Sequence, residues 1–155
     1  MVIRKATTDD CVPLRALYLE LEKDAVRFQP EHFVIGERDD AFFRCIFDSE
    51  NQDILVAQLD DAVVGFAHVI LLKQKNIACL KPQTALYIQD MAVSPDMRSV
   101  GIGSRLMEAC KAYGAEHGAD FVRTEVFPQN ANGLRFYEKN GFCEMMKTLE
   151  FQINE

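Results

Sequence analysis

Hydrophobic and polar positions along the chain predict an alternation of strands and helices. Val2 to Ala6 reads as a short first strand. Thr7, Thr8, Asp9 and Asp10 then supply the side-chain oxygens that start helices. Leu14, Leu17, Tyr18 and Leu21 recur at helical spacing, and Pro13 is tolerated only in a first turn, so the cap falls at Asp9 or Asp10. Asp24 to Gly36 is irregular, with Pro30 and Gly36 as breakers. Asp39 to Phe47 predicts a second helix with Phe43, Ile46 and Phe47 on one side. Asp53 to Leu59 and Ala62 to Leu72 are strand-like, and Asp60-Asp61 between them fits a hairpin turn.

The second half alternates more regularly. A lysine-bearing loop, Lys73 to Pro82, precedes a strand over Leu86 to Val93. Gly103 to His117 is helical and stops at Gly118. Phe121 to Phe127 predicts a strand, and Asn130 caps a short helix that runs to Lys139 and ends at Asn140-Gly141. Phe142 to Ile153 predicts one or two terminal strands. There is no repeat, no low-complexity segment and no linker, so residues 1–155 are expected to form a single domain. The order is mixed α/β, with hairpins early and strand–helix alternation late.

Composition narrows the function classes. With 155 residues, 48% hydrophobic and 26% charged, the chain resembles an ordinary globular domain. At this size such a domain buries roughly two-thirds of its unfolded surface. A net charge of -7 argues against nucleic-acid binding, which wants a basic face, and fits an amine-bearing substrate weakly. The five cysteines, Cys11, Cys45, Cys79, Cys110 and Cys143, are scattered and form no Cys-x-x-Cys. That pattern predicts free thiols rather than disulfides or structural zinc. His32, His68 and His117 lack ligand spacing, so no metal site is expected; His68, in an apolar strand, reads as a hydrogen-bonded core or pocket residue. No signal peptide or membrane span is evident, and a cytoplasmic location is the expectation.

The segment richest in chemistry runs from Leu86 to Met107. A strand ending Met91-Ala92-Val93 leads through Ser94-Pro95-Asp96-Met97 to Arg98-Ser99-Val100-Gly101-Ile102-Gly103-Ser104, which opens a helix. A helix start offers unpaired N–H groups and the positive end of its dipole, which together suit phosphate oxygens. Gly101 and Gly103 permit positive φ and close approach of a ligand. A dinucleotide fingerprint is excluded because its third glycine is missing: Leu106 follows three positions after Gly103. A P-loop is excluded because no Gly-Lys-Ser/Thr follows.

Arg98-x-x-Gly101-x-Gly103, the strand ahead of it, and the downstream run Asn130 to Phe142, with Tyr137-Glu138-Lys139-Asn140-Gly141-Phe142, together resemble the GNAT superfamily of N-acetyltransferases. The opening Ile3-Arg4-Lys5-Ala6-Thr7 resembles it too. The resemblance implies a twisted, mostly antiparallel sheet of about six or seven strands with helices on both faces. It implies acetyl-CoA as cosubstrate. Met91, Ala92 and Val93 would bind the pantetheine arm. Arg98, Ser99, Val100, Gly101, Ile102, Gly103 and Ser104 would cradle the pyrophosphate, and Asn130 would bond the amide region. Tyr137 would sit near the sulfur and protonate the departing thiolate, a task that suits a phenol of pKa about 10. Taken alone, outside the motif, Tyr137 reads as a half-buried aromatic, the commoner fate of a tyrosine, and Asn130 as only an N-cap.

The base that deprotonates the acceptor amine is open. In the resembling pattern its position is occupied here by Gln89, which cannot act as a base. Asp90 is next, but strand alternation sends it to the opposite face unless a bulge intervenes. Glu125, on the following strand, is a second candidate, and a water chain could also suffice. The expected reaction is direct transfer to a primary amine of a small molecule, without a cysteine nucleophile. Two alternatives stand beside it: acetylation of a protein N-terminus or lysine, and a non-catalytic CoA-binding sensor. A homodimer is allowed; no nucleic-acid or membrane partner is expected.

Overall fold

The computed structural model describes residues 1–154. The chain divides into two compact units, Met1–Glu125 and Val126–Glu155. The first unit contains β1 (Val2–Lys5), α1 (Cys11–Phe28), α2 (Asp40–Phe47), β2 (Gln52–Leu59), β3 (Ala62–Lys73), β4 (Thr84–Val93), α3 (Ile102–Glu116) and β5 (Phe121–Thr124). The second contains α4 (Ala131–Lys139). One mixed sheet runs β1-β2-β3-β4-β5; the first four strands are antiparallel and β5 is parallel to β4.

Period-two alternation sorts the sheet into two apolar faces. Ile54, Val56 and Phe66 pack on one face against Leu14, Leu17 and Tyr18 of α1 and Phe43 and Ile46 of α2. Ala57 and Val64 pack on the other against Ile102 and Leu106 of α3. Val56 and Ala57 are neighbours in one strand and serve opposite faces, as the pleat requires. Tyr18 is fully buried, its ring 4.5 Å from that of Phe66 and 5.5 Å from that of Phe42. Emptying such a position costs about 3–5 kcal/mol. Gly65 lets α3 and β4 come close: a Cβ there would lie 3.1 Å from the Ala92 carbonyl oxygen and 3.2 Å from Leu106 Cδ1.

Asp10 anchors the start of the chain. Its carboxylate accepts hydrogen bonds from both terminal nitrogens of Arg4, at 2.7 and 2.8 Å, and from the Thr7 N–H at 2.8 Å. Arg4 is the main reason its acidity is strengthened, against the opposing effect of burial.

Four expectations are corrected. The sheet has five strands rather than six or seven. Residues 142–154 carry strand-like apolar spacing, yet join no sheet among the described residues; a strand needs a hydrogen-bonded partner, which apolar spacing alone does not specify. Met145, Met146, Leu149, Phe151 and Ile153 are exposed there. The strand expected over Phe121 to Phe127 stops at Thr124. The first helix continues to Phe28 through a stretch that reads as irregular, because polar residues pair locally there: Lys23 with Glu20 at 2.7 Å and Arg27 with Asp24 at 2.9 Å.

Candidate active site

The site begins where two strands part. β5 pairs with β4 only over Ala85 to Ile88. Beyond that point the Thr124 hydroxyl donates to the Ile88 carbonyl at 3.0 Å, and β5 ends. The second half of β4 keeps β3 on one side: Asp90, Met91, Ala92 and Val93 lie opposite His68, Ala67, Phe66 and Gly65. Its other edge pairs with no strand among the described residues, so alternate main-chain groups of Met91 to Val93 suit an extended ligand. Arg98 bends back to this edge and donates from Nε to the Val93 carbonyl at 3.1 Å.

The loop after β4 delivers the chain to α3 through two left-handed residues, Ser99 at φ 64° and Gly101 at φ 91°. Gly101 is the N-cap of α3 and provides no side-chain oxygen. The contrast with the other helices is informative. Asp39 accepts from the Phe42 N–H at 2.8 Å to cap α2, and Asn130 accepts from the Gly133 N–H at 2.9 Å to cap α4. The first-turn N–H groups of α3, on Ile102, Gly103 and Ser104, have no such cap and point out of the helix start. A Cβ on Gly101 would meet nothing within 4 Å, so the glycine serves the backbone angle rather than packing. Uncapped donors, a dipole end and the Arg98 guanidinium suit a pyrophosphate, and the open β4 edge suits the arm of a CoA thioester.

Asp90 occupies the face that its position in a regular strand would deny it. Val69 lies opposite Ile88 and His68 opposite Asp90, which leaves Gln89 as an extra residue in a bulge. Gln89 is exposed, and Asp90 turns toward α1. There Asp90 Oδ2 lies 3.7 Å from His68 Nδ1, and the Tyr18 hydroxyl is 3.4 Å from the same nitrogen. His68 Nε2 lies 2.9 Å from Gln52 Oε1. Burial, and next the Asp90 carboxylate, hold the Tyr18 phenol protonated, against the pull of the Arg38 guanidinium. That guanidinium sits 5.1 Å over the Tyr18 ring and 5.0 Å over that of Phe42, and pairs with Glu22 at 2.6 Å. Glu22 also accepts from the Gly36 N–H at 3.0 Å, so the segment before α2 is tied to α1.

The structure therefore brings together Met91, Ala92, Val93, the Arg98 to Ser104 loop and Asp90 around β4 and the start of α3. Glu125 is exposed, one residue past the end of β5. Tyr137 and Asn130 belong to the second unit. Tyr137 is half-buried on α4, its ring 5.3 Å from Phe136 and 5.4 Å from Phe142. The Asn130 side-chain oxygen is engaged by the cap, which requires a glycine at 133: a Cβ there would lie 2.5 Å from Asn130 Nδ2. Cys110 is buried, and burial pushes its thiol up to about 12, an inert state for a nucleophile. Sequence reasoning set His68 aside as a core or pocket residue and placed Tyr18 on a helix face without a functional role. The signal available for both was a lone histidine in an apolar strand opposite a half-polar helix face. Among the described residues no cluster of three metal-capable side chains occurs, and no helix is long and apolar enough to cross a membrane.

An antiparallel sheet whose pairing with a parallel strand ends midway, with an uncapped helix start after it, is the arrangement expected of an acyl-CoA-dependent transferase. Residues 15–142 match the acetyltransferase (GNAT) family, and the chain belongs to that family. The match runs across both units. An uncharacterised N-acetyltransferase of Bacillus subtilis, YhfO, is 25% identical over 157 residues, covering 99% of this chain and 97% of its own. An uncharacterised N-acetyltransferase of Archaeoglobus fulgidus is 25% identical over 138 residues, covering 88% and 89%. Among solved structures, a mutant of the BH1408 protein from Bacillus halodurans superposes with a TM-score of 0.95 at 22% identity, covering 99% of this chain and 100% of that one. An aminoglycoside N-acetyltransferase, AAC(6')-Iy in complex with CoA, gives 0.76 at 16% identity, with 99% of each chain covered. The protein is an N-acetyltransferase of the GNAT type, a family whose fold binds acetyl-CoA.

Proposed function

We propose that the protein transfers acetyl directly from acetyl-CoA to a primary amine of a small molecule, with Asp90 as the base. The observation that carries this reading is the bulge at Gln89. It removes the glutamine from the site and turns a carboxylate onto the α1 face, next to the open edge of β4. Acetyl-CoA supplies an activated thioester. Met91 to Val93 hold its pantetheine arm through main-chain groups, and Arg98, Ser99, Val100, Gly101, Ile102, Gly103 and Ser104 hold its pyrophosphate. An acceptor amine arrives as ammonium; Asp90 takes its proton and frees the lone pair for attack. Main-chain N–H groups beside the bulge meet the charge that develops on the acetyl oxygen. By resemblance to the family, Tyr137 is assigned the return of a proton to the leaving thiolate and Asn130 a hydrogen bond to the amide region of the arm.

A small acceptor is favoured over a protein by the segment before α2. Glu22 binds both Gly36 and Arg38, and the Arg15 Nε donates to the Arg38 carbonyl at 2.7 Å. A segment tied down in this way walls the α1 face, whereas a peptide needs an open groove. The AAC(6')-Iy structure belongs to an enzyme named for aminoglycosides, amine-rich small molecules, which agrees with this class.

The test is an acceptor screen with acetyl-CoA that follows release of free thiol. Small amines and amine-bearing peptides are assayed side by side. Acetylation of small amines with idle peptides is the expected result. Preferential turnover of peptides assigns the protein acetyltransferase role instead. Thermal stabilisation by acetyl-CoA with no turnover across the panel assigns a sensor.

A further inference from the structure

His68 is 5% exposed and lies behind Asp90, away from the open edge of β4. Its surroundings determine where its protons sit. Gln52 Oε1 faces Nε2 at 2.9 Å, and an amide oxygen can only accept, so Nε2 carries hydrogen. In the neutral ring Nδ1 is then bare. It receives the Tyr18 hydroxyl at 3.4 Å and faces Asp90 Oδ2 at 3.7 Å. A bare nitrogen and a carboxylate confront each other across that gap with no hydrogen between them. Two lone pairs in that position repel, and one added proton converts the repulsion into a charge-assisted hydrogen bond.

We infer that the proton acceptor of this enzyme is the Asp90–His68 pair rather than Asp90 alone, with His68 as the positioning residue and Gln52 as the group that sets its tautomer. The inference rests on Asp90 being the base. An N–H bond of the acceptor ammonium breaks, its electron pair stays on nitrogen as the attacking lone pair, and the proton goes to a carboxylate oxygen of Asp90. The Tyr18 hydroxyl then turns its hydrogen away from Nδ1, the gap to Asp90 closes to hydrogen-bond length, and the proton is shared between Oδ2 and Nδ1. The pair passes from a net charge of minus one to zero. No other reactant is needed.

The charged and titratable groups around the ring agree with this assignment. From α1 comes Tyr18, whose phenol stays protonated and serves as a donor to Nδ1. Asp90 comes from β4, and β2 contributes the neutral Gln52. Arg38 covers the outer face of Tyr18 with its charge committed to Glu22.

Ring-nitrogen NMR on the wild-type protein tests the tautomer without any acceptor. Neutral His68 is expected as the Nε2–H form, and Gln52→Leu should convert it to a mixture. An Nδ1–H form in the wild type overturns the inference, because the nitrogen facing Asp90 would already be occupied. Turnover is tested with two probes at high concentration: propylamine, an ammonium at neutral pH, and hydroxylamine, a nitrogen nucleophile already neutral there. His68→Gln should slow propylamine acetylation about tenfold or more at unchanged acetyl-CoA KM, with the acidic limb of the pH profile moved to lower pH, and should affect hydroxylamine far less. Wild-type turnover and an unmoved limb in His68→Gln, with Asp90→Asn inactive, overturn the pair and leave Asp90 as a lone base. An active Asp90→Asn removes the base assignment itself.

Discussion

The phosphate cradle can be tested by placing a charge in it without straining it. Gly101 sits at φ 91°, where most side chains cost roughly 1–2 kcal/mol but asparagine and aspartate are tolerated. A Cβ at this position meets nothing within 4 Å, so neither substitution creates a clash. Gly101 is also the N-cap of α3, and Asn and Asp are comparably good caps. Gly101→Asn and Gly101→Asp therefore share shape, backbone tolerance and capping, and differ by one negative charge. If the first turn of α3 holds the pyrophosphate, that charge lies about 6 Å from a phosphate oxygen. Coulomb's law then gives about 0.7 kcal/mol in water and nearly 3 kcal/mol at an effective dielectric of about 20. The Asp variant should bind CoA more weakly than the Asn variant by about 3-fold to 100-fold. Calorimetry with dephospho-CoA isolates the pyrophosphate from the ribose phosphate. Raising salt to about 1 M, where the screening length falls to about 3 Å, should narrow the gap. The melting temperatures of the two free variants should agree closely. Equal affinities at low salt would place the pyrophosphate elsewhere and remove the assignment of Arg98 to Ser104.

Three further outcomes are expected. Tyr137→Phe should lower turnover at least about tenfold while leaving acetyl-CoA affinity within experimental error, and wild-type turnover would remove Tyr137 from the mechanism. Asp10 is held more acidic in the folded protein than in the unfolded chain, chiefly by Arg4, so it stabilises the fold above the ordinary aspartate range and that contribution fades as pH falls through it. Urea midpoints of the wild type should drop between about pH 5 and pH 3, and Asp10→Asn, about 1–2 kcal/mol less stable at pH 7 after allowance for the partial exposure of Arg4, should show a flatter decline; parallel curves would contradict the assignment. Gly65→Ala pushes a methyl to 3.1 Å from the Ala92 carbonyl oxygen, and should cost about 1–3 kcal/mol and weaken acetyl-CoA binding through the displaced strand; an unchanged melting temperature would show that β4 yields freely there.

How much of this was legible in the sequence depended on how local each cause is. The cap at Asn130 and the positive-φ glycines at 101, 118 and 141 follow from residue chemistry within a few positions, and each matches a structural feature. The last turns of α1 were hidden because their support is a set of polar pairings, Glu20 with Lys23, Asp24 with Arg27 and Glu22 with Arg38, which an apolar periodicity does not register. The terminal segment failed in the opposite way. Leu149, Phe151 and Ile153 alternate like a strand, but a strand is a relation between two segments, and only one of them is written in that stretch. The phosphate loop was readable as a motif. The company of Asp90 was not, because His68, Tyr18 and Gln52 converge on it from three other elements.

The inserted Gln89 connects these threads. Before it, β4 is an ordinary strand: Leu86 lies against α3, within 3.4 Å of the Cβ position of Gly114, and Ile88 shares that face. Continued without interruption, the alternation would set Gln89 on the α1 face and Asp90 against α3, where a carboxylate would be buried among Ala57, Val64 and Leu106. One extra residue reverses the order from that point on. Asp90 reaches His68, Ala92 joins the α1 core, and Met91 and Val93 pack toward α3. The same position marks the end of pairing with β5, since Ile88 is the last residue of β4 that has a partner there. The bulge therefore delivers the proposed base and an open strand edge from a single residue's displacement. The glutamine that stands at the family's base position is the residue whose insertion turns Asp90, the proposed base, onto the α1 face.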